Sequence, residues 1–187
     1  MKILVACEFS GIIREAFAER GHDTWSCDLL PSEIEGQHFQ INVVDILNFG
    51  WDLMIAHPPC TYLCNSGVRW LHEGFQRWWK LEKAASFFRR LLQAPIPHIV
   101  VENPIPHKYA VEFIGRQYDQ IIQPWQFGHG ETKATCLWLK NLPLLKPTNI
   151  VEGRIPRIHH EPPSSDRWKN RSRTYQGIAK AMAEQWG

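Results

Sequence analysis

Residues 51–60 read Trp-Asp-Leu-Met-Ile-Ala-His-Pro-Pro-Cys, and this stretch decides the fold. Asp52–Ala56 is an almost wholly apolar run, the pattern of a strand covered on both faces of a parallel sheet. Pro58 and Pro59 carry no backbone donor and fix φ near about −65°, so the strand ends there in a stiff turn. The turn presents Cys60 at the strand's C-terminal tip, where open α/β sheets bind their ligands. By itself the stretch fits equally a reactive thiol and a buried cysteine beside an ordinary turn.

Further apolar runs bounded by turn residues alternate with helical periodicity on either side. Strands are predicted over Lys2–Ala6, Thr24–Cys27, Ile41–Val44, His98–Val101, Gln120–Gln123 and Thr135–Leu139, and helices over Gly11–Arg20, Phe75–Gln93 and Thr174–Trp186. In the middle helix Trp78, Leu81, Ala85, Phe88 and Leu92 recur at helical spacing, leaving Lys80, Lys83, Arg89 and Arg90 to water. Such alternation gives βαβ units, hence an α/β fold with a mostly parallel, seven-stranded sheet and flanking helices. Residues 141–171 carry five prolines, many charges and little periodicity. They read as a long loop within one domain spanning 1–187, not as a second domain.

Composition narrows the class. The hydrophobic share of 44% and charged share of 21% are those of a globular chain, and no apolar stretch is long enough to span a bilayer. The first residues turn acidic too soon for a secretory signal and read as a first strand. Five cysteines without a disulfide-type spacing imply reduced thiols and a cytoplasmic location. Net charge is only +2, yet Lys146 to Arg173 holds seven Lys or Arg against Glu152, Glu161 and Asp166. That excess suits an anionic partner such as nucleic acid, and equally a solvated loop. Arg154, Arg157, Arg167, Lys169, Arg171 and Arg173 are its candidate phosphate contacts. Trp70, Trp78 and Trp79 lie among Arg69, Arg77 and Lys80; core packing accounts for Trp79 or its neighbour, while Arg69 and Trp70 suit stacking on an unpaired base.

Other strand tips carry chemistry too. Val5-Ala6-Cys7-Glu8-Phe9-Ser10-Gly11 runs from strand into helix. Its glycine permits close approach to the backbone, and the helix N-terminus offers free N–H groups to a carboxylate or phosphate. Asp28 ends the second strand, where an acid can take ribose hydroxyls; Asp45 ends the third, where it can accept from an adenine amino group. Either aspartate can instead cap a turn. Glu102, in Val100-Val101-Glu102-Asn103-Pro104, stands at another tip and can address the same substrate as Cys60.

The order Phe-Ser-Gly, Asp, Asp, Pro-Cys, Glu-Asn, Phe-Gly (127–128) and a final helix at Ile178–Ala183 resembles the DNA cytosine-5 methyltransferases, most closely their small phage- or prophage-type members. The resemblance spans nearly the whole chain, and Pro-Pro-Cys with Glu-Asn is its specific part. It implies a Rossmann-like methyltransferase fold, S-adenosylmethionine as donor, no metal, and a flipped cytosine in DNA as substrate. Cys60 would be the nucleophile, Glu102 would hold the cytosine's amino edge, and Lys133 would supply the positive charge of the polar strand. Phe9, Ser10, Gly11, Asp28, Asp45, Pro58 and Ser172 would line the cofactor site. A thiolate adding to carbon 6 makes carbon 5 nucleophilic enough to accept a methyl group, and cysteine is the side chain both soft and ionisable near neutral pH.

The chain departs from that pattern in places. Gly11-Ile12-Ile13-Arg14 replaces a glycine-rich turn, so Arg14 is expected to alter the cofactor contacts; Ser172 stands where asparagine is usual. About thirty residues replace a large recognition domain, so the chain either reads little sequence, acts on accessible or single strands, or borrows a homodimer or helper partner. Three other readings stay open: an amino-group methyltransferase, from the likeness of His57-Pro58-Pro59-Cys60 to an Asp/Asn-Pro-Pro-aromatic motif; a zinc module of His57, Cys60, Cys64 and His72; and a non-catalytic nucleic-acid-binding or decoy protein.

Overall fold

All but one of the strands run the same way. The computed structural model describes residues 1–187, with strands β1 (Lys2–Ala6), β2 (Asp23–Cys27), β3 (His38–Phe39), β4 (Leu53–Ala56), β5 (His98–Pro104), β6 (Gln120–Ile122) and β7 (Thr135–Lys140). They form a single sheet in the order β3-β2-β1-β4-β5-β7-β6. Only β7 is reversed, antiparallel to both β5 and β6. The helices are α1 (Ile12–Ala18), α2 (Phe75–Leu92), α3 (Lys108–Ile114), α4 (Arg167–Ser172) and α5 (Gln176–Trp186).

Side-chain alternation along the strands divides the core in two. Leu4, Ala6, Met54, Ala56, Ile99 and Val101 face one side, where Leu81, Ala85 and Phe88 of α2 and Ala110 of α3 cover them. Ile3, Val5, Leu53, Ile55 and Val100 face the other, under Ile13 and Phe17 of α1 and Ile178, Met182 and Trp186 of α5. Central β4 is apolar at every position because both of its faces are buried.

The structure corrects several boundaries. The third strand is His38–Phe39 and not Ile41–Val44; Val43–Ile46 is a 3₁₀ turn, capped by the Asn42 side chain, which accepts from Val44 N. Asp45 therefore lies on an exposed turn and ends no strand. Helix α3 fell in a stretch with no helix expected; His107 caps it, accepting from Ala110 N at 3.0 Å. Residues 141–171 hold a 3₁₀ turn at Arg157–His160 and most of α4. Trp78 is the packed tryptophan, against Tyr109 and Phe113, whereas Trp79 is exposed.

Candidate functional site

Strand register builds the site. Ala6 pairs with Cys27 on one side and Ala56 on the other, and Ala56 pairs with Val101. The next residue on each strand is Cys7, Asp28, His57 and Glu102, so four ionisable side chains share one level at the sheet's C-terminal edge. His57 N donates to Ala6 O at 2.9 Å, holding this row together past the last strand pair.

Beyond His57 the two prolines throw the chain outward, and Asn103 Nδ2 fixes the turn by donating to Pro58 O at 2.8 Å. Residues Cys60 to Cys64 form one helical turn, with Cys64 N on Cys60 O at 3.0 Å. This turn is stapled to the segment after β5. His107 N donates to Leu63 O, Asn65 N to Ile105 O, and His107 Nε2 to Tyr62 O at 3.0 Å. Because His107 Nδ1 accepts from Ala110, Nε2 carries the proton.

The turn sets Cys60 and Cys64 four residues apart on one helical turn. Cys64 is the more acidic member: the neighbouring Cys60 thiol, then Ser66 Oγ (3.1 Å) and the Ser66 and Gly67 amides, outweigh burial and lower it below an ordinary thiol. Cys60 is pushed up by the Cys64 sulfur beside it, by burial and by the negative charge of Glu102. The half-buried Cys60 thus faces a ready proton acceptor. The sequence expectation had singled out Cys60 alone; Cys64 entered only as a zinc ligand.

Behind the cysteines, His57 Nδ1 lies 2.9 Å from Glu102 Oε2, with the side chains 11% and 16% exposed. Burial raises Glu102, but the His57 hydrogen bond and charge, Lys133 and the Thr135 hydroxyl together hold it below the usual carboxylate range. Burial depresses Lys133, against the pull of Glu102 and Cys60, and Arg171 lowers it further. Lys133 Nζ donates to Arg173 O at 3.2 Å. His57, Glu102, Lys133, Thr135 and Tyr175 line a narrow cavity under the start of α5. His57 Nε2 is buried there without a partner. His57 entered the sequence reading only through the amino-group and zinc alternatives, and its place one residue past a strand end is the signal that marks it.

The glycine turn differs from expectation. Cys7 takes φ 59°, a left-handed conformation costing ~1–3 kcal/mol for a residue with a side chain. It folds Glu8 under α1, where the Glu8 carboxylate accepts from Ile13 N (2.8 Å), Arg14 N (3.3 Å) and Ser10 Oγ (3.2 Å). The helix N-terminus is thus capped internally, not free for a ligand. Gly11, at φ +73°, has Arg14 Nη2 3.0 Å from where a Cβ would stand. Arg14 is 1% exposed and binds Ser26, Ser32 and the carbonyls of Ile34 and Glu35, so it clamps the loop after β2 and does not face a cofactor contact. Phe9 is buried, 5.8 Å from Trp168 of α4.

At the other end of the row, Asp28 Oδ1 accepts from Leu30 N at 3.0 Å, while Oδ2 has no partner and Asp45 makes no side-chain hydrogen bond. These open carboxylate oxygens suit the hydroxyls and amino group of a nucleoside. The nucleoside end of the expected donor therefore fits the residues present. Ser172 stands apart on α4, donating to Lys169 O at 2.8 Å.

Most of the candidate phosphate contacts hold partners within the chain. Arg157 binds Glu131 (3.0 Å), Arg167 binds Glu161 O (2.7 Å), Arg173 grips both Glu33 oxygens (2.9 and 2.6 Å), and Arg154 donates to Val151 O (2.9 Å). Lys169 lies over its neighbour Trp168, 5.7 Å from the ring centre, and Arg171 makes no side-chain hydrogen bond or ion pair. Arg69 stacks on Trp70 at 4.4 Å.

No family model and no curated protein matches the sequence. Solved structures do. One is an E. coli protein described as a DNA modification methyltransferase encoded within a prophage: TM-score 0.53, 15% identity, with 87% of this chain and 55% of that one covered. Another is the Entamoeba histolytica methyltransferase EhMeth, at TM-score 0.49 and 16% identity, covering 87% and 60%. The fold is a Rossmann-like methyltransferase fold. The match spans little more than half the length of either structure, and at such identity the likeness is one of fold.

Proposed function

We propose that the chain is an S-adenosylmethionine-dependent DNA cytosine-5 methyltransferase in which Cys60 is the nucleophile. The observation that carries this reading is the edge row itself: an acid on β2, a His–Glu pair across β4 and β5, and a thiol on the rigid turn that follows. The likeness to a structure described as a DNA modification methyltransferase supports it.

In this reading Glu102, held ionised by His57, accepts from the exocyclic amino group of the cytosine. Lys133 balances the negative charge that builds on the ring. Cys60 passes its proton to the Cys64 thiolate as its sulfur bonds to carbon 6, and the ring's electrons move to carbon 5. The bound donor supplies an electrophilic methyl carbon, with the thioether S-adenosylhomocysteine as leaving group. Loss of the carbon-5 proton to a base then restores the ring and breaks the sulfur–carbon bond. Asp28 and Asp45 hold the donor's ribose and adenine; Phe9, Ser10, Gly11 and Pro58 frame its site. The cost of extruding the base, a few kcal/mol, is met by contacts from Arg69, Trp70 and the basic loop.

The test is incubation with isotope-labelled donor and DNA, then mass spectrometry of the nucleosides. Labelled 5-methylcytosine is expected from the unaltered chain, with none from Cys60→Ser, which lacks a nucleophile of suitable pKa. Near-normal transfer by the serine variant, or label on an amino nitrogen, overturns the reading.

A further inference from the structure

Next to the Cys60 turn lies a surface of which the proposed chemistry uses only Arg69 and Trp70. It runs along the 3₁₀ segment Asn65–Glu73 and the first turns of α2. The Arg69 guanidinium lies 4.4 Å from the Trp70 ring centre, and Arg77 lies 6.0 Å from the same ring and 5.7 Å from that of Tyr62. Lys80 Nζ lies 5.8 Å from Tyr62. The spatial order is Arg69, Trp70, Arg77, Tyr62, Lys80: cation and ring alternate, and Tyr62 is two positions from Cys60. Farther along α2, Lys83 sits 3.6 Å over Trp79. Trp70, Phe75 and Trp79 are 37%, 84% and 50% exposed.

Arg69, Arg77, Lys80 and Lys83 form no ion pair and their side chains make no hydrogen bond, in contrast to Arg157, Arg167 and Arg173 of the basic loop. An apolar partner covering this ladder would have to desolvate several unpaired cations, which is costly. A polyanion neutralises them. The rings decide which polyanion: in a duplex, base faces are covered by their neighbours, whereas unpaired bases are free to stack on aromatic and guanidinium planes.

We infer that the ladder from Arg69 to Lys80 is a track for single-stranded DNA, leading an unpaired cytosine to Cys60. The inference rests on the reading of the chain as a DNA cytosine methyltransferase and names the strand state of its substrate. Bases stack on Trp70 and Tyr62, and Arg69, Arg77 and Lys80 take the phosphates between them.

The test is fluorescence anisotropy with a labelled, cytosine-containing oligonucleotide, as a single strand and as its duplex at matched salt. The single strand binds about tenfold more tightly or better, and Trp70→Ala weakens it by about tenfold while leaving duplex affinity in place. Arg77→Gln flattens the fall of log affinity with log salt for the single strand by about 0.7. Trp70 and Arg77 lie outside the buried core, and unchanged melting temperatures show that the variants remain folded. Duplex binding as tight as single-strand binding, or unaltered single-strand affinity in Trp70→Ala, overturns the inference. Binding is read without turnover, so the two readings fail separately: ladder-dependent binding with no methyl transfer removes the enzyme and keeps the track, whereas transfer to duplex alone, indifferent to Trp70, does the reverse.

Discussion

His57 Nδ1 hydrogen-bonds Glu102 Oε2 at 2.9 Å across two adjacent strand tips, and both side chains are largely withdrawn from water. An ionised carboxylate only accepts, so Nδ1 carries the proton and Nε2 is the ring's unpartnered nitrogen. Register made this pair: Ala56 and Val101 are partners, and each of the two residues comes next in its strand.

Removing the imidazole should therefore change the sign of the Glu102 shift. In the native chain the folded carboxyl titrates below its ordinary value. Its contribution is present above about pH 4.3 and lost as pH falls through the folded pKa. In His57→Ala burial dominates and the carboxyl titrates high. The variant should be about 3–5 kcal/mol less stable at pH 7, and that deficit should shrink toward pH 4. Urea unfolding at the two pH values measures it; an equal deficit at both would show that His57 only fills space.

A thiolate near neutral pH is the second expectation. Cys64 is held below the ordinary thiol value of about 8.5. The folded chain should keep one thiolate well below that pH, and the stability this contributes is present above about pH 8.5 and lost as pH falls through the lowered folded value. Thiolate absorbance in the ultraviolet reads the titration. Cys64→Ser should abolish the low step and let Cys60 ionise more easily, because the neighbouring Cys64 sulfur raises Cys60. An unchanged low step in Cys64→Ser would assign the thiolate to another cysteine.

The parts legible in the sequence are those where local chemistry and global position agree. Leu53–Ala56 is apolar at each position because both faces of the sheet are covered, and Pro58-Pro59 must end it, so strand, turn and thiol could all be read. Asp45 was misplaced because Ile41–Val44 has β-branched residues suited to a strand, yet Asn42 caps a 3₁₀ turn there instead. Helix α3 depends on a histidine cap, which carries little sequence signal. Glu8 and Arg14 were opaque for a different reason. Their partners, the α1 amides and a loop about twenty residues on, exist only once the chain has folded.

Arg14 gives a third prediction. Its guanidinium reaches two hydroxyls and two carbonyls from beneath the loop, besides Glu15, and a Cβ at Gly36 would stand 2.8 Å from it. Arg14→Met keeps much of the volume and strands those acceptors, at roughly 3 kcal/mol or more. Arg14→Lys keeps the charge without the planar fork and should recover only part of that loss. Limited proteolysis should then cut between 29 and 37 in both variants. An intact loop in Arg14→Met would mean that the loop holds its place without the clamp.

The last prediction separates the two ends of the proposed donor site. Asp28 is half-buried with one oxygen unpartnered, and Asp45 is exposed on its turn. Hydrogen bonds to a charged acceptor strengthen as water is excluded, so the two aspartates should not contribute equally. Asp28→Asn should weaken S-adenosylmethionine binding by ~1–3 kcal/mol, and Asp45→Asn by less than about 1 kcal/mol. Glu8 already satisfies the Ile13 and Arg14 amides, so Ser10→Ala, which removes a donor to Glu8 and a long contact from Ile12 N, should leave donor affinity close to native. Titration calorimetry on the three variants gives the order. An affinity unmoved by Asp28→Asn but lost in Ser10→Ala would relocate the donor from the β2 tip to the mouth of α1, with Glu8 displaced from the helix to admit it.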